Sequence, residues 1–205
     1  FGGIYLTTDY GTTFTAILVQ AGTTYCFAKS DNFIIAIKRL TGGSYNEFLL
    51  SSDNGLTFSP NTSGLIGFPS NPSPNDLIEF NGFFYYIQTL SVSKIQTVPV
   101  NVTSIITNPV QMRQLFATDN ILYASSLLNG GLYYSDGSNP FVLCTFDVAG
   151  SASSYWYVLK HNSITYSFGS NGIYKSLDGI NFTVIPLPVA SYGTIAGNLL
   201  VTTAS

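Results

Sequence analysis

Ten carboxylates, two arginines and one histidine carry most of the chemistry open to this 205-residue chain. Four of the acids, Asp9, Asp53, Asp136 and Asp178, recur in one local pattern, and Asp31 and Asp119 sit beside asparagines in turn-forming pairs. That leaves Glu47, Asp76, Glu79 and Asp147 for general acid–base work. Two carboxylates held at a suitable separation can cleave a glycosidic bond, one as acid and the other as nucleophile or base. Asp76, Glu79 and Asp147 form the candidate set, with solvated loop acids as the plainer reading. His161, in His161-Asn162-Ser163, has no nucleophile or acid at a telling distance and reads as a polar turn residue. No His, Cys or carboxylate cluster has metal-ligand spacing. No catalytic residue and no cofactor is therefore assigned, although a calcium ion ringed by backbone carbonyls would leave no trace in sequence.

The recurring pattern sets the organisation. Thr7-Thr8-Asp9-Tyr10-Gly11-Thr12-Thr13-Phe14 returns as Ser51-Ser52-Asp53-Asn54-Gly55-Leu56-Thr57-Phe58. Tyr134-Ser135-Asp136-Gly137-Ser138-Asn139-Pro140-Phe141 displaces the glycine, and Ser176-Leu177-Asp178-Gly179-Ile180-Asn181-Phe182 is one residue shorter. The acids are spaced at about 42 residues with one gap of about twice that, so a decayed copy is expected near residues 91–97. A hydroxyl, an acid, a glycine and an aromatic in this order suit a tight turn between antiparallel strands. The carboxylate accepts turn N–H groups, the glycine (Gly11, Gly55, Gly179) takes the positive φ, and the aromatic (Phe14, Phe58, Phe141, Phe182) packs beneath.

This pattern resembles the Asp-box, or BNR repeat, of propeller blades in sialidases and many secreted or virion proteins, in a divergent form with Phe where that family usually has Trp. The resemblance implies that Asp9, Asp53, Asp136 and Asp178 are structural, on outer-strand turns opposite the usual pocket. Sialidases hold the substrate carboxylate with three arginines. Only Arg39 and Arg113 are present, so sialidase activity is rejected.

A second repeat lies between these turns. Apolar runs flank Asp31-Asn32, Asn81-Gly82, Asp119-Asn120, Asn162-Ser163 and Gly197-Asn198, residue types that suit two-residue hairpins. Each repeat therefore carries two hairpins, and the chain begins with one kind and ends with the other. Counted through the chain ends, the interval from Leu199 to Phe33 is about 39 residues, so the period survives the jump. The expected fold is all-β, a five-bladed β-propeller of four-stranded antiparallel blades, closed by pairing the N-terminal and C-terminal hairpins in one composite blade. The blades are expected near 21–62, 75–103, 111–148, 153–188, and 192–205 plus 1–20, as a single domain.

Composition agrees with this fold and narrows the partners. Charged residues are 8% and aromatics 15%, with a net charge of −3 and no run of either sign, so a nucleic-acid surface is not expected. Apolar runs are too short to cross a bilayer as helices. A surface hydrated by Ser, Thr, Asn and Tyr suggests an extracellular or virion-surface protein whose partners are neighbouring proteins of an assembly, and glycans. The start at Phe1 suggests a processed chain or a piece of a longer one. Cys26 and Cys144 are expected as free, buried small hydrophobes. Asn61, Asn101 and Asn181 head N-glycosylation sequons, matches that arise easily by chance in so Asn/Ser/Thr-rich a chain.

Propellers present ligands to the loops leading into their inner strands. The ligand-binding candidates there are Tyr25, Asp76, Arg113, Trp156 and Tyr192, with rim packing as the commoner role of such aromatics. The proline-rich stretch 60–75, with Leu65, Ile66 and Phe68, is expected as a contact arm. The expected function is a non-enzymatic module for adhesion, glycan or receptor binding, or assembly. The alternatives are a glycoside-acting enzyme using funnel carboxylates and a purely architectural spacer.

Overall fold

The computed structural model describes residues 3–19, 23–31, 33–40, 46–60, 77–88, 91–97, 100–107, 110–126, 130–147, 157–169, 172–186, 190–196 and 199–204. Among them every regular element is a strand. The chain divides into two compact units, residues 1–88 with 93–105, and residues 106–205 with 89–92.

The first unit opens with the antiparallel hairpin β1 (Gly3–Leu6) and β2 (Thr15–Val19). A four-stranded sheet follows in sequence order, β3 (Thr23–Lys29), β4 (Ile34–Leu40), β5 (Asn46–Ser51) and β6 (Ser59–Pro60). The next sheet has β7 (Leu77–Phe80), β8 (Phe83–Gln88), β9 (Ser91–Thr97) and β10 (Val100–Thr107), its last strands reaching the unit boundary. The second unit holds a sheet of β11 (Met112–Ala117), β12 (Leu122–Ser126), β13 (Leu132–Ser135) and β14 (Val142–Leu143). Beyond it come β15 (Thr145–Phe146), β16 (Tyr157–His161), β17 (Ile164–Gly169), β18 (Gly172–Ser176) and β19 (Asn181–Ile185), then the hairpin β20 (Ala190–Ala196) and β21 (Leu199–Ala204).

Two of the second strands are buried on both faces. Ile35, Ala36 and Ile37 on β4 are buried, which is why that segment reads as an unbroken apolar run, and all of β12 is buried with Ser125 and Ser126 included. Ile35, Ile37, Phe48, Phe84, Tyr86 and Ile95 form the main core of the first unit. Phe116, Tyr123, Leu132, Val158, Tyr174 and Phe182 form that of the second, around the buried thiol of Cys144, whose pKa burial pushes up. Neither cysteine is in a disulfide, and Cys26 is only partly buried.

The inner hairpins close in two ways. Asn81-Gly82 (φ 52° and 78°) and Asn162-Ser163 (φ 48° and 64°) take the paired positive φ that matches strand twist. The Asp119-Asn120 turn instead closes through the Thr118 N–H on the Ile121 carbonyl (2.9 Å) without a positive φ. Asn32 and the pair Gly197-Asn198 lie outside the described residues.

Two expectations need correction. Residues 91–97 do not hold a decayed acid turn; they are strand β9, and β10 begins at Val100. The fourth strand of this sheet has eight residues where β6 and β14 have two. The chain after β14 also does not stay with its own sheet. β15 pairs in parallel with β19, Thr145 against Asn181 and Phe146 against Phe182, making the last sheet five-stranded in the order β15-β19-β18-β17-β16.

Candidate functional site: acid turns and inner-strand starts

Each acid turn is a clamp around one carboxylate. In the first, Thr13 gives Asp9 both its N–H (2.8 Å) and its hydroxyl (2.6 Å), Thr7 adds a hydroxyl (2.9 Å), and the Thr7 Oγ1 accepts the Gly11 N–H (2.8 Å). The second repeats it with Thr57, Ser51 and Gly55 on Asp53. In the last two an asparagine replaces threonine: Asn139 and Asn181 hold Asp136 and Asp178 by backbone N–H and side-chain Nδ2. The Ser135 hydroxyl serves its glycine, accepting the Gly137 N–H (3.0 Å), but donates to the Asn139 carbonyl instead of the acid. The hydroxyl or amide next after the turn was missed in the sequence, although Thr13, Thr57 and Asn181 all stand directly before the aromatic.

The four aromatics diverge. Phe141 and Phe182 are buried and Phe58 is half-buried, whereas Phe14 is 63% exposed. The expectation that Phe14 packs beneath its turn is thus corrected: among the described residues β1 and β2 pair only with each other, in a two-stranded sheet.

The clamps explain the acidity of the acids. Asp9 and Asp53 are lowered from 3.8 to about 2, chiefly by the hydroxyls of Thr13 and Thr57 and then by their N–H groups. Asp178 and Asp136 shift the same way, led by the N–H groups of Asn181 and Asn139. Because the folded carboxyl is the stronger acid, the stabilisation that the Asp9 and Asp53 turns contribute is complete above about pH 4 and fades as pH falls toward about 2, and that of the Asp136 and Asp178 turns is likewise lost as the acid becomes protonated at low pH. The amide shifts of Thr13 and Thr57 in an NMR pH series should accordingly move with midpoints near 2. Midpoints near 4 would mean that the clamps do not form.

The sequon at Asn181 falls within a clamp, so its side-chain nitrogen is already engaged. Two of the three candidate catalytic acids are similarly occupied. Glu79 accepts the Gly82 N–H (2.7 Å) across its own hairpin, and Asp147 accepts the Val184 N–H (3.0 Å). Asp76 lies outside the described residues, and no group of three or more His, Cys, Asp or Glu side chains able to hold a metal occurs among those described.

At the inner-strand starts the structure describes one of the five ligand candidates in full. Arg113 is the extra residue of a β-bulge, skipped where Met112 pairs with Ser126 and Gln114 with Ser125. Bulges re-aim the side chain they carry and are frequent beside functional sites. A like irregularity at the start of β20 falls between Ala190 and Tyr192. Tyr192 and Tyr25 are placed by backbone only, opposite Thr203 and Lys38, and Trp156 lies outside the described residues, as does most of the proline-rich stretch. Tyr157, next to Trp156, opens β16, is 44% exposed, and stands edge-on to Phe116 of β11 at 5.5 Å. Strands β11 and β16 are in contact. The described part of this region thus brings the starts of β11 and β16 together, with Arg113 on the one and Tyr157 on the other.

These sheets place the fold among the β-propellers. Similar solved structures include the Pan2 WD40 domain of Neurospora crassa, with a TM-score of 0.63 at 9% identity, covering 96% of this chain and 64% of that one. Virginiamycin B lyase from Staphylococcus aureus, in a catalytically inactive form with quinupristin, gives 0.64 at 14% identity, covering 96% and 75%. YCF48 bound to D1 peptide gives 0.60 at 14% identity, covering 90% and 62%. The chain thus spans less than two thirds of two of these neighbours. No family model matches the sequence, and no curated protein sequence does.

Proposed function

We propose that this chain is a non-enzymatic propeller module that binds a segment of a partner protein at its inner-strand starts. The acid turns act as structural Asp-boxes. The ring has five blades, the fifth assembled from β20–β21 and β1–β2. The observation that carries the binding reading is the bulge that sets Arg113 at the start of β11, in a strand that contacts the one opened by the exposed Tyr157. YCF48, similar in fold, is bound to a peptide. The low charge and hydroxyl-rich composition favour an extracellular or virion-surface setting, with neighbouring proteins of an assembly or their glycans as partners. The glycosidase reading is disfavoured, since Glu79 and Asp147 already serve backbone amides.

The test is parallel peptide-array and glycan-array binding of the purified chain and of Arg113→Ala. Selective binding of acidic peptides, weakened about tenfold or more in the variant with an unchanged unfolding midpoint, is the expected result. Binding confined to glycans would make the module a lectin. Silence on both arrays would leave an architectural role, and turnover of a glycoside would restore the enzyme.

A further inference from the structure

Two hydroxyls in the second unit are buried in an apolar core and make no hydrogen bond. Ser125 on β12 and Ser167 on β17 are each 0% exposed, and among the described residues neither side-chain oxygen finds a partner. A serine oxygen can donate one hydrogen bond and accept two. Leaving such a group buried and unpaired costs about a factor of ten in the folding equilibrium, so a pair of them calls for a physical cause.

Both hydroxyls lie in the same seam. Side chains alternate along a strand, so Ser125 shares a face of β12 with Tyr123, and its cross-strand neighbour on β13 is Leu132. Ser167 pairs with Val158 on β16 and with Tyr174 on β18. Tyr123, Leu132, Val158 and Tyr174 all belong to the one core cluster that joins these two sheets. The face of β12 that carries Ser125 therefore looks across to the face of β17 that carries Ser167. At the β18–β19 turn the same seam is already bridged by a hydrogen bond, from the Tyr123 hydroxyl to the Gly179 carbonyl (2.8 Å).

The surroundings select the guest. The cluster around the serines is apolar, and burial pushes the pKa of its Cys144 thiol up, so an ion placed there would be poorly solvated. A hydrocarbon would leave both hydroxyls unpaired. What fits is a small neutral group that donates and accepts at once, which in a site closed from the surface is water.

We infer that Ser125 and Ser167 form a buried water site between the two sheets, with one internal water molecule hydrogen-bonded to both hydroxyls. That water satisfies the two serines together and ties β12 to β17 across the seam. The inference stands within the second unit alone and is independent of the binding reading above.

The test is urea unfolding of the full chain, Ser125→Ala, Ser167→Ala and the double variant, together with a high-resolution crystal structure of the unaltered chain. Alanine is smaller than serine and adds no strain to a strand, so all three variants should fold. Each single substitution removes one anchor of the water and strands the other serine, and should lower the folded-to-unfolded ratio about threefold or more. The loss in the double variant should fall short of the product of the two, because no hydroxyl is then left unpaired. In the crystal a water peak is expected within about 3 Å of both oxygens. Dry, unpaired hydroxyls would give the opposite sign, since alanine would then relieve the penalty and raise the ratio. A gain or no change in either single variant overturns the site, as do losses that multiply in the double variant or a seam without the water peak.

Discussion

Replacing Gly179 by alanine is expected to destabilise the second unit by about 3 kcal/mol, the sum of a left-handed backbone penalty and overpacking. Gly179 stands at φ +76°, and an added Cβ would lie 2.6 Å from both the Ile121 Cδ1 and the Tyr123 hydroxyl. Neither neighbour yields easily. Tyr123 is fully buried and fixed by its bond to the Gly179 carbonyl, and Ile121 packs against the same core. Moving the ring away would strand that carbonyl without its donor. Gly82 is the control, with φ +78° but nothing within 4 Å of an added Cβ, so alanine there should cost only the backbone term, about 1 kcal/mol. Urea midpoints of the two variants compare the terms directly. Equal losses would show that the turn does not rest on Tyr123.

Phe182→Ala should cost about 3–5 kcal/mol, the range for deleting a buried aromatic ring. The ring is 2% exposed, stacks on Phe146 at 5.1 Å and 14°, and borders Tyr123, Tyr174 and Cys144 in one cluster. Its removal leaves a cavity that the surrounding strands cannot collapse into, because β19 is tied on one side to β18 and on the other to β15. The Cys144 thiol gives a second readout. It is inert while buried, so its reaction with a thiol reagent under native conditions reports opening of this core and should quicken at least a hundredfold in the variant. Unchanged labelling with a small shift in midpoint would show that Phe182 is not part of the core around Cys144.

What the sequence made legible was local. Ser/Thr, Asp and Gly at fixed spacing identify a turn because the hydrogen bonds run between residues two to four apart, and the Asp53 and Asp178 clamps need nothing beyond their own segments. Thr13, Thr57 and Asn181 were equally local and were passed over for the aromatic beside them. Exposure of Phe14 was not legible, since its motif matches that of Phe58 and the difference lies in which strands stand behind it. The bulge at Arg113 depends on how β11 aligns with β12, and no residue type announces it. Nor does Thr145-Phe146 signal that it will leave its own sheet. Its partners are about 36 residues further on and pair through backbone atoms that every residue has. Of the five ligand candidates, only Arg113 is described with its side chain, and the acids weighed for catalysis accept backbone N–H groups where described.

The strand shared between the last two sheets gives the molecule a direction of mechanical strength. Segment 142–147 pairs first with β13 and then, in parallel, with β19. The Thr145 N–H on the Ile180 carbonyl, the Asp147 N–H on the Phe182 carbonyl and the Val184 N–H on the Asp147 carboxylate all lie across the line of the chain. Tension along that line loads these bonds together, in shear, whereas the hairpins beside it can be peeled one bond at a time. A pull transmitted through the second unit therefore meets its stiffest resistance where one blade hands its chain to the next.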